Sequence, residues 1–282
     1  YQDAVPTTLG REMGAYAQAL SRDRWRIFKC SERLRVVNLG GTAIGTGLGA
    51  PRQFIFKVVE ELRRITGFGL ARAEDLVDCT QNTDAFAETS GYLKTVAVNL
   101  QKIGCDLRFL SSGPKAGIAE LQLPRRQAGS SIMPAKVNPV IPEAVQQTAM
   151  MVMALDSLLT QACGMGHLEL NAFMPLIADS LLNSFSLLTR AVSTLNHNCV
   201  SQLTANEEVC RRHVFETTAV ATILVDELGY EKVQEIVRSA EKGKTTLKEI
   251  VTTQGLMSVE EFASLLSPER VCRLGSPPKE RK

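Results

Sequence analysis

Residues Pro175–Leu195, PLIADSLLNSFSLLTRAVSTL, decide how the fold is read. Ile177, Leu181, Phe185, Leu188, Val192 and Leu195 recur at spacings of three and four, the period of one face of an α-helix. Pro175 suits the first turn, where a missing backbone donor costs nothing. The same spacing recurs in Leu9, Met13, Tyr16, Ala17 and Leu20, and again in Met151, Val152, Leu155, Leu158, Leu159 and Ala162. Few alternating β-branched runs compete with it. Long helices with apolar stripes must bury those stripes against each other. The expected fold is therefore all-α, a long-helix bundle over residues 1–203 and a small helical C-terminal domain over 204–282. The stripes are generous for one chain, so a second face is expected to be buried against other subunits.

The boundary near residue 203 is drawn from texture. Thr204 begins shorter, more charged helical segments with capping signals, such as the SVEE run from Ser258 to Glu261. Residues 276–282 form a polar tail that is expected to fray. No internal repeat is present.

Composition narrows the function classes. The chain has 282 residues, 44% of them hydrophobic, 22% charged and 5% aromatic, with 32 basic and 30 acidic side chains. That is globular composition, which excludes a disordered chain. A net charge of +2 does not suggest a nucleic-acid partner. The longest apolar run, Ala149–Leu155, is seven residues, against about 20 for a membrane span. No export signal opens the chain at Tyr1, and a cytoplasmic location is expected. The cysteines, at positions 30, 79, 105, 163, 199, 210 and 272, are odd in number and scattered, without a C-x-x-C pair. They read as small buried hydrophobes in a reducing compartment rather than a disulfide framework or zinc site. His167, His197 and His213 are equally dispersed, so no metal is assigned.

Two interruptions stand out. Asn38–Pro51, NLGGTAIGTGLGAP, has glycines that do not fit G-x-G-x-x-G and follows no clear strand, so it reads as a tight connection between helices. Ser111–Pro142 is about thirty residues with little helical period, and loops of that length are usually functional. At its centre lies Gly129–Pro139, GSSIMPAKVNP. No Gly-Lys-Ser/Thr ends it, which excludes a phosphate-binding P-loop. Gly129 permits close backbone approach and a mobile hinge. Lys136 is a point charge suited to a carboxylate, and Asn138 adds a hydrogen bond. A serine hydroxyl is a poor base unless N–H dipoles and a cation stabilise its alkoxide, and Gly129, Ser130, Ser131 and Lys136 have the residue types for that.

GSSIMPAKVNP resembles the signature of the fumarase/aspartase superfamily, lyases that eliminate a group β to a carboxylate and release fumarate. Gln2–Pro6, Asn38–Leu48, Leu107–Pro114 and Leu203–Cys210 resemble other family segments in the same order, and the likeness covers residues 1–270. Ala135, the run Val140 to Glu143 (VIPE), Ala73–Leu76 and Thr80–Phe86 lean towards the aspartate ammonia-lyase branch. Fumarases usually carry glycine at the position of Ala135. Gly166–Asn171 leans the other way, with a fumarase-like His167 that is read as a packed or interface histidine.

The resemblance implies an enzyme, a carbon–nitrogen lyase that deaminates L-aspartate reversibly to fumarate and ammonia through an aci-carboxylate intermediate. Ser130 matches the catalytic base and Ser131 a substrate-binding hydroxyl. Lys136 and Asn138 match residues that hold substrate carboxylate. Glu143 matches an acidic residue that pairs with the family's active-site histidine. No cofactor is required, although magnesium activates some aspartases. The resemblance further implies a homotetramer with active sites shared among three subunits around a bundle of twenty helices. Its only other partner would be the small-molecule substrate, with no membrane and no nucleic acid. Family chains carry a Thr/Ser/Asn block and a Thr-His pair before the position of Tyr1, so this chain is expected to be the remainder of such an enzyme and inactive alone. Cys105 stands where asparagine is usual. The alternatives are a fumarate hydratase and a non-catalytic helical scaffold.

Overall fold

A computed structural model describes residues 2–129 and 132–275; Ser130, Ser131 and the 276–282 tail lie outside the described residues. The order of elements is α1 (Leu9–Arg33), β1 (Val36–Val37), α2 (Arg52–Thr66), β2 (Ala71–Arg72), α3 (Leu76–Gln81), α4 (Asp84–Leu110), β3 (Leu121–Gln122), α5 (Val140–Cys163) and α6 (Met174–Asn198). Then come β4 (Thr204–Ala205), α7 (Glu207–Glu216), α8 (Ala221–Leu228), α9 (Tyr230–Gly243), α10 (Leu247–Thr253), α11 (Val259–Leu265) and α12 (Pro268–Val271). The fold is helical, as expected; β1 pairs with β2 in parallel and β3 with β4 antiparallel, each strand two residues long. No helix among the described residues is long and apolar enough to cross a membrane.

The chain forms two compact units. The larger comprises residues 17–109 and 123–203, the smaller residues 1–16, 110–122 and 204–282.

In the larger unit, α4, α5 and α6 bury their helical stripes. Leu93, Val96, Ala97, Leu100, Ile103 and Leu107 line α4, with Val145, Ala149, Val152, Leu159 and Ala162 on α5. Ile177, Leu181, Leu188, Ala191 and Leu195 complete the core from α6, which packs along α5. Removing this apolar surface from water is the main stabilising term. Two buried carboxylates fix the alignment of neighbouring helices. Asp156 of α5 accepts from Ser90 Oγ at 2.7 Å and Lys94 Nζ at 2.6 Å, both on α4. Asp23 of α1 accepts from Asn99 Nδ2 of α4 at 2.8 Å and from Arg26 Nη1 at 2.6 Å. A charge in such surroundings persists only when paired and hydrogen-bonded. Ser90→Ala leaves Asp156 to Lys94 alone and is expected to cost about 1–2 kcal/mol. A lower urea midpoint at unchanged m-value is the check.

The Asn38–Pro51 run is the tight connection its glycines suggest. A Cβ on Gly45 would lie 2.4 Å from the Leu76 carbonyl oxygen and from Val77 backbone atoms, so the loop rests directly on the start of α3. The Asp75 carboxylate caps that helix by accepting from the N–H groups of Val77 and Asp78. Large apolar side chains nevertheless stay uncovered. On α1 only Asp23 and Cys30 are buried, while Trp25 is 65% exposed. Met150, Met151 and Leu158 on α5, with Leu182 and Val192 on α6, are exposed too.

The smaller unit has its own core, in which Val220, Leu224, Val233, Ile236, Val251 and Phe262 are almost fully buried. Its short helices start at full capping boxes, Thr246 with Glu249 and Ser258 with Glu261. The Ser258 backbone N–H holds the Glu261 carboxyl below its usual pKa, as the Thr245 hydroxyl does for Glu249. Such an increment of stability is present above the unfolded pKa and is lost as pH falls through the folded one. The Asn206 N–H donates to the Glu120 carbonyl beside the β3–β4 ladder, and His213 Nδ1 lies 2.9 Å from Glu120 Oε1.

Candidate active site

The loop that carries the serines is tied down at both ends within the larger unit. Upstream, Arg126 donates from Nε to the Asn198 carbonyl at 2.9 Å and from Nη2 to the His197 carbonyl at 3.4 Å. These are among the last carbonyls of α6, which lack helical partners and carry the negative end of the dipole, so a guanidinium satisfies both needs. Downstream, the Val140 N–H donates to the Asn138 carbonyl at 2.9 Å, and the Glu143 N–H to Pro139 at 3.2 Å, leading the chain into α5.

Between the ties the backbone is unusual. Gly129 has φ 124°, a conformation open to glycine and costly for other residues. Ala135 has φ 68°, in the left-handed region, where an L side chain costs about 1–2 kcal/mol. The Lys136 N–H closes a turn onto the Met133 carbonyl at 3.2 Å. An alanine at a position that suits glycine stiffens the approach to Lys136, because fewer backbone alternatives are open to it.

Ser130 and Ser131, the expected base and substrate hydroxyl, fall outside the described residues. The Lys136 side chain is exposed, while Asn138 and Glu143 are half-buried. Glu143 occupies the first turn of α5, where the helix dipole favours a carboxylate. Around it stand groups that the sequence reading did not single out. Arg108, in the last turn of α4, reaches Glu143 Oε1 with Nη2 at 3.7 Å and donates from Nη1 to Gln146 Oε1 at 2.6 Å. Gln146 is buried and donates from Nε2 to Cys105 Sγ, so the residue in the usual asparagine's place serves as an acceptor. Gln146 follows Glu143 by three residues, a spacing that places both on one helix face. That spacing was a readable signal; the approach of Arg108 was not.

His167 is exposed at the turn between α5 and α6, where its N–H and carbonyl pair with those of Leu170, so within this chain it is not packed. Among the described residues no group of three or more His, Cys, Asp or Glu is placed to hold a metal ion. In sequence, Lys136, Asn138 and Glu143 follow the two serines, and these residue types suit binding of an anionic substrate and transfer of a proton.

Residues 1–154 match the family described as "Lyase", and residues 220–273 match "Fumarase C C-terminus". The chain belongs to the fumarase/aspartase superfamily of lyases. Among relatives, aspartate ammonia-lyase of Helicobacter pylori is 41% identical over 270 residues, covering 96% of this chain and 58% of that protein. The crystal structure of fumarate lyase:delta crystallin from Brucella melitensis superposes with a TM-score of 0.91 at 43% identity, covering 96% of this chain and 59% of that one. Recombinant class II fumarase from Schistosoma mansoni gives a TM-score of 0.81 at 31% identity, covering 95% and 59%. The lyase chain thus spans somewhat over half the length of the relatives it matches. Within the superfamily it is more similar to this aspartate ammonia-lyase, at 41% identity, than to this fumarase, at 31%.

Proposed function

We propose that the protein carrying this chain is an aspartate ammonia-lyase, converting L-aspartate reversibly to fumarate and ammonia. The observation that carries the reading is the unbroken GSSIMPAKVNP loop in a chain 41% identical over 270 residues to an enzyme of that name. The difficult step removes a proton from C3, next to the side-chain carboxylate, and forms a dianionic aci-carboxylate. Ser130 takes that proton. Lys136 and Asn138 meet the carboxylate charge as it develops, and Ser131 holds substrate. Breaking the C2–N bond then expels ammonia, and the electron pair left at C3 forms the double bond of fumarate. Glu143 pairs with the histidine of the family's Thr-His motif. The chemistry needs no cofactor, with magnesium an activator at most. The uncovered apolar faces of α1, α5 and α6 support a homotetramer with shared sites.

The test is an ultraviolet assay for fumarate formed from L-aspartate and, separately, from L-malate. The protein carrying this chain is expected to act on aspartate alone; activity on malate alone would establish a hydratase instead. The 282 residues by themselves span 58% of the Helicobacter pylori relative and are expected to be nearly inactive without the parts they leave out. Ammonia release by this chain alone would show that those parts are dispensable, and would exclude an inert scaffold.

A further inference from the structure

We propose that Arg108 is a positioning residue for Glu143, held at its post by the buried amide of Gln146; the inference rests on the lyase reading above. The guanidinium divides its two ends. Nη1 is engaged by Gln146 Oε1 at 2.6 Å, which leaves Nη2 facing Glu143 Oε1 at 3.7 Å. Gln146 is 6% exposed and its Nε2 is committed to Cys105 Sγ, so the amide is gripped at both ends. Gly104 makes room for it, since a Cβ there would sit 3.0 Å from Gln146 Cγ and 3.2 Å from the Pro142 carbonyl oxygen.

An exposed ion pair between two free side chains contributes little, because ordering them offsets the attraction. Here the cation is ordered already, by a neutral group that does not compete for its charge. Two positive potentials then bear on Glu143, the guanidinium from α4 and the N-terminal dipole of its own α5. Together they hold the carboxylate in one orientation, as is needed to keep a histidine in place.

Arg108→Met, Arg108→Lys and Gln146→Met, made in the protein carrying this chain, test this through kcat and KM for L-aspartate, with assembly read by the mass of the complex. Arg108→Met is expected to lower kcat by about 10- to 100-fold with KM little changed. Arg108→Lys restores part of the rate, because a cation again faces Glu143. Gln146→Met keeps the charge but frees it, and costs several-fold in kcat. An assembled Arg108→Met protein with wild-type kcat, or a loss that Arg108→Lys does not rescue in part, overturns the proposal. Should Arg108→Met fail to assemble, wild-type rates in both Arg108→Lys and Gln146→Met overturn it equally. A wild-type protein without aspartate turnover sinks the functional reading itself, and this proposal with it, before any variant is compared.

Discussion

Ser130→Ala, in the protein carrying this chain, is expected to lower L-aspartate turnover by about 10³-fold or more while leaving the assembly intact. A carbon-bound proton next to a carboxylate is weakly acidic, and an ordinary hydroxyl does not remove it at neutral pH. On the proposed mechanism the serine is made basic by fixed positive potential, and Lys136, six positions further on in the sequence, is its expected source. On that mechanism alanine removes the base and leaves Lys136, Asn138 and the Arg126 tether. The loss should therefore fall on kcat rather than KM. Ser131→Ala, which removes the proposed binding hydroxyl, should raise KM instead. Turnover is read by fumarate absorbance and assembly by the mass of the complex in solution. Unchanged turnover in Ser130→Ala would remove that residue from the role of base.

Gly45→Ala is expected to destabilise the larger unit by about 3 kcal/mol or more. Two costs add at this position. The backbone has φ 94°, which an L side chain rarely adopts. The new methyl would also lie 2.4 Å from the Leu76 carbonyl oxygen and from Val77 N and Cα, none of which can rotate aside. Gly49→Ala is the control, because Gly49 has φ 85° with nothing within 4 Å of an added Cβ. It bears the conformational cost alone, about 1–2 kcal/mol. Thermal or urea denaturation of both variants separates the terms. Equal midpoints would show that close approach to α3 contributes nothing.

Periodicity in the sequence located helices better than it located their buried faces. On α6 the apolar set marks the core correctly at Ile177, Leu181, Leu188 and Leu195, yet Val192 of the same set is exposed. On α5, Val152 and Leu159 are buried while Met151 and Leu158 face outward. A stripe records every apolar surface a helix covers, whichever chain supplies the cover. The central helix α4 escaped notice because Thr89, Ser90 and Gly104 interrupt its buried face. Ser90 meets a carboxylate there, Gly104 lets α5 approach closely, and Thr89 returns its hydroxyl to the Ala85 carbonyl, so polarity and smallness on that face are packing features. The pairing of Asp23 with Asn99 is silent for a related reason, since a lone acid on a helix reads as solvated. For the candidate site, Lys136, Asn138 and Glu143 stand in one continuous motif and could be read together. Arg108 and Gln146 are 38 positions apart and meet only because α4 and α5 are aligned.

During synthesis, Leu121 and Gln122 leave the ribosome long before their ladder partners, Ala205 and Thr204, exist. The smaller unit collects residues 1–16, 110–122 and 204–282, so its segment 1–16 waits while nearly two hundred further residues are made. Helices α5 and α6, adjacent along the chain, can pair as soon as both are made. A nascent chain arrested before residue 204 therefore holds a bundle already packing and two orphaned segments with nothing to join. Such a product is a client for chaperones or a substrate for proteases, so the folding of residues 1–16 and 110–122 depends on the synthesis of residues 204–282.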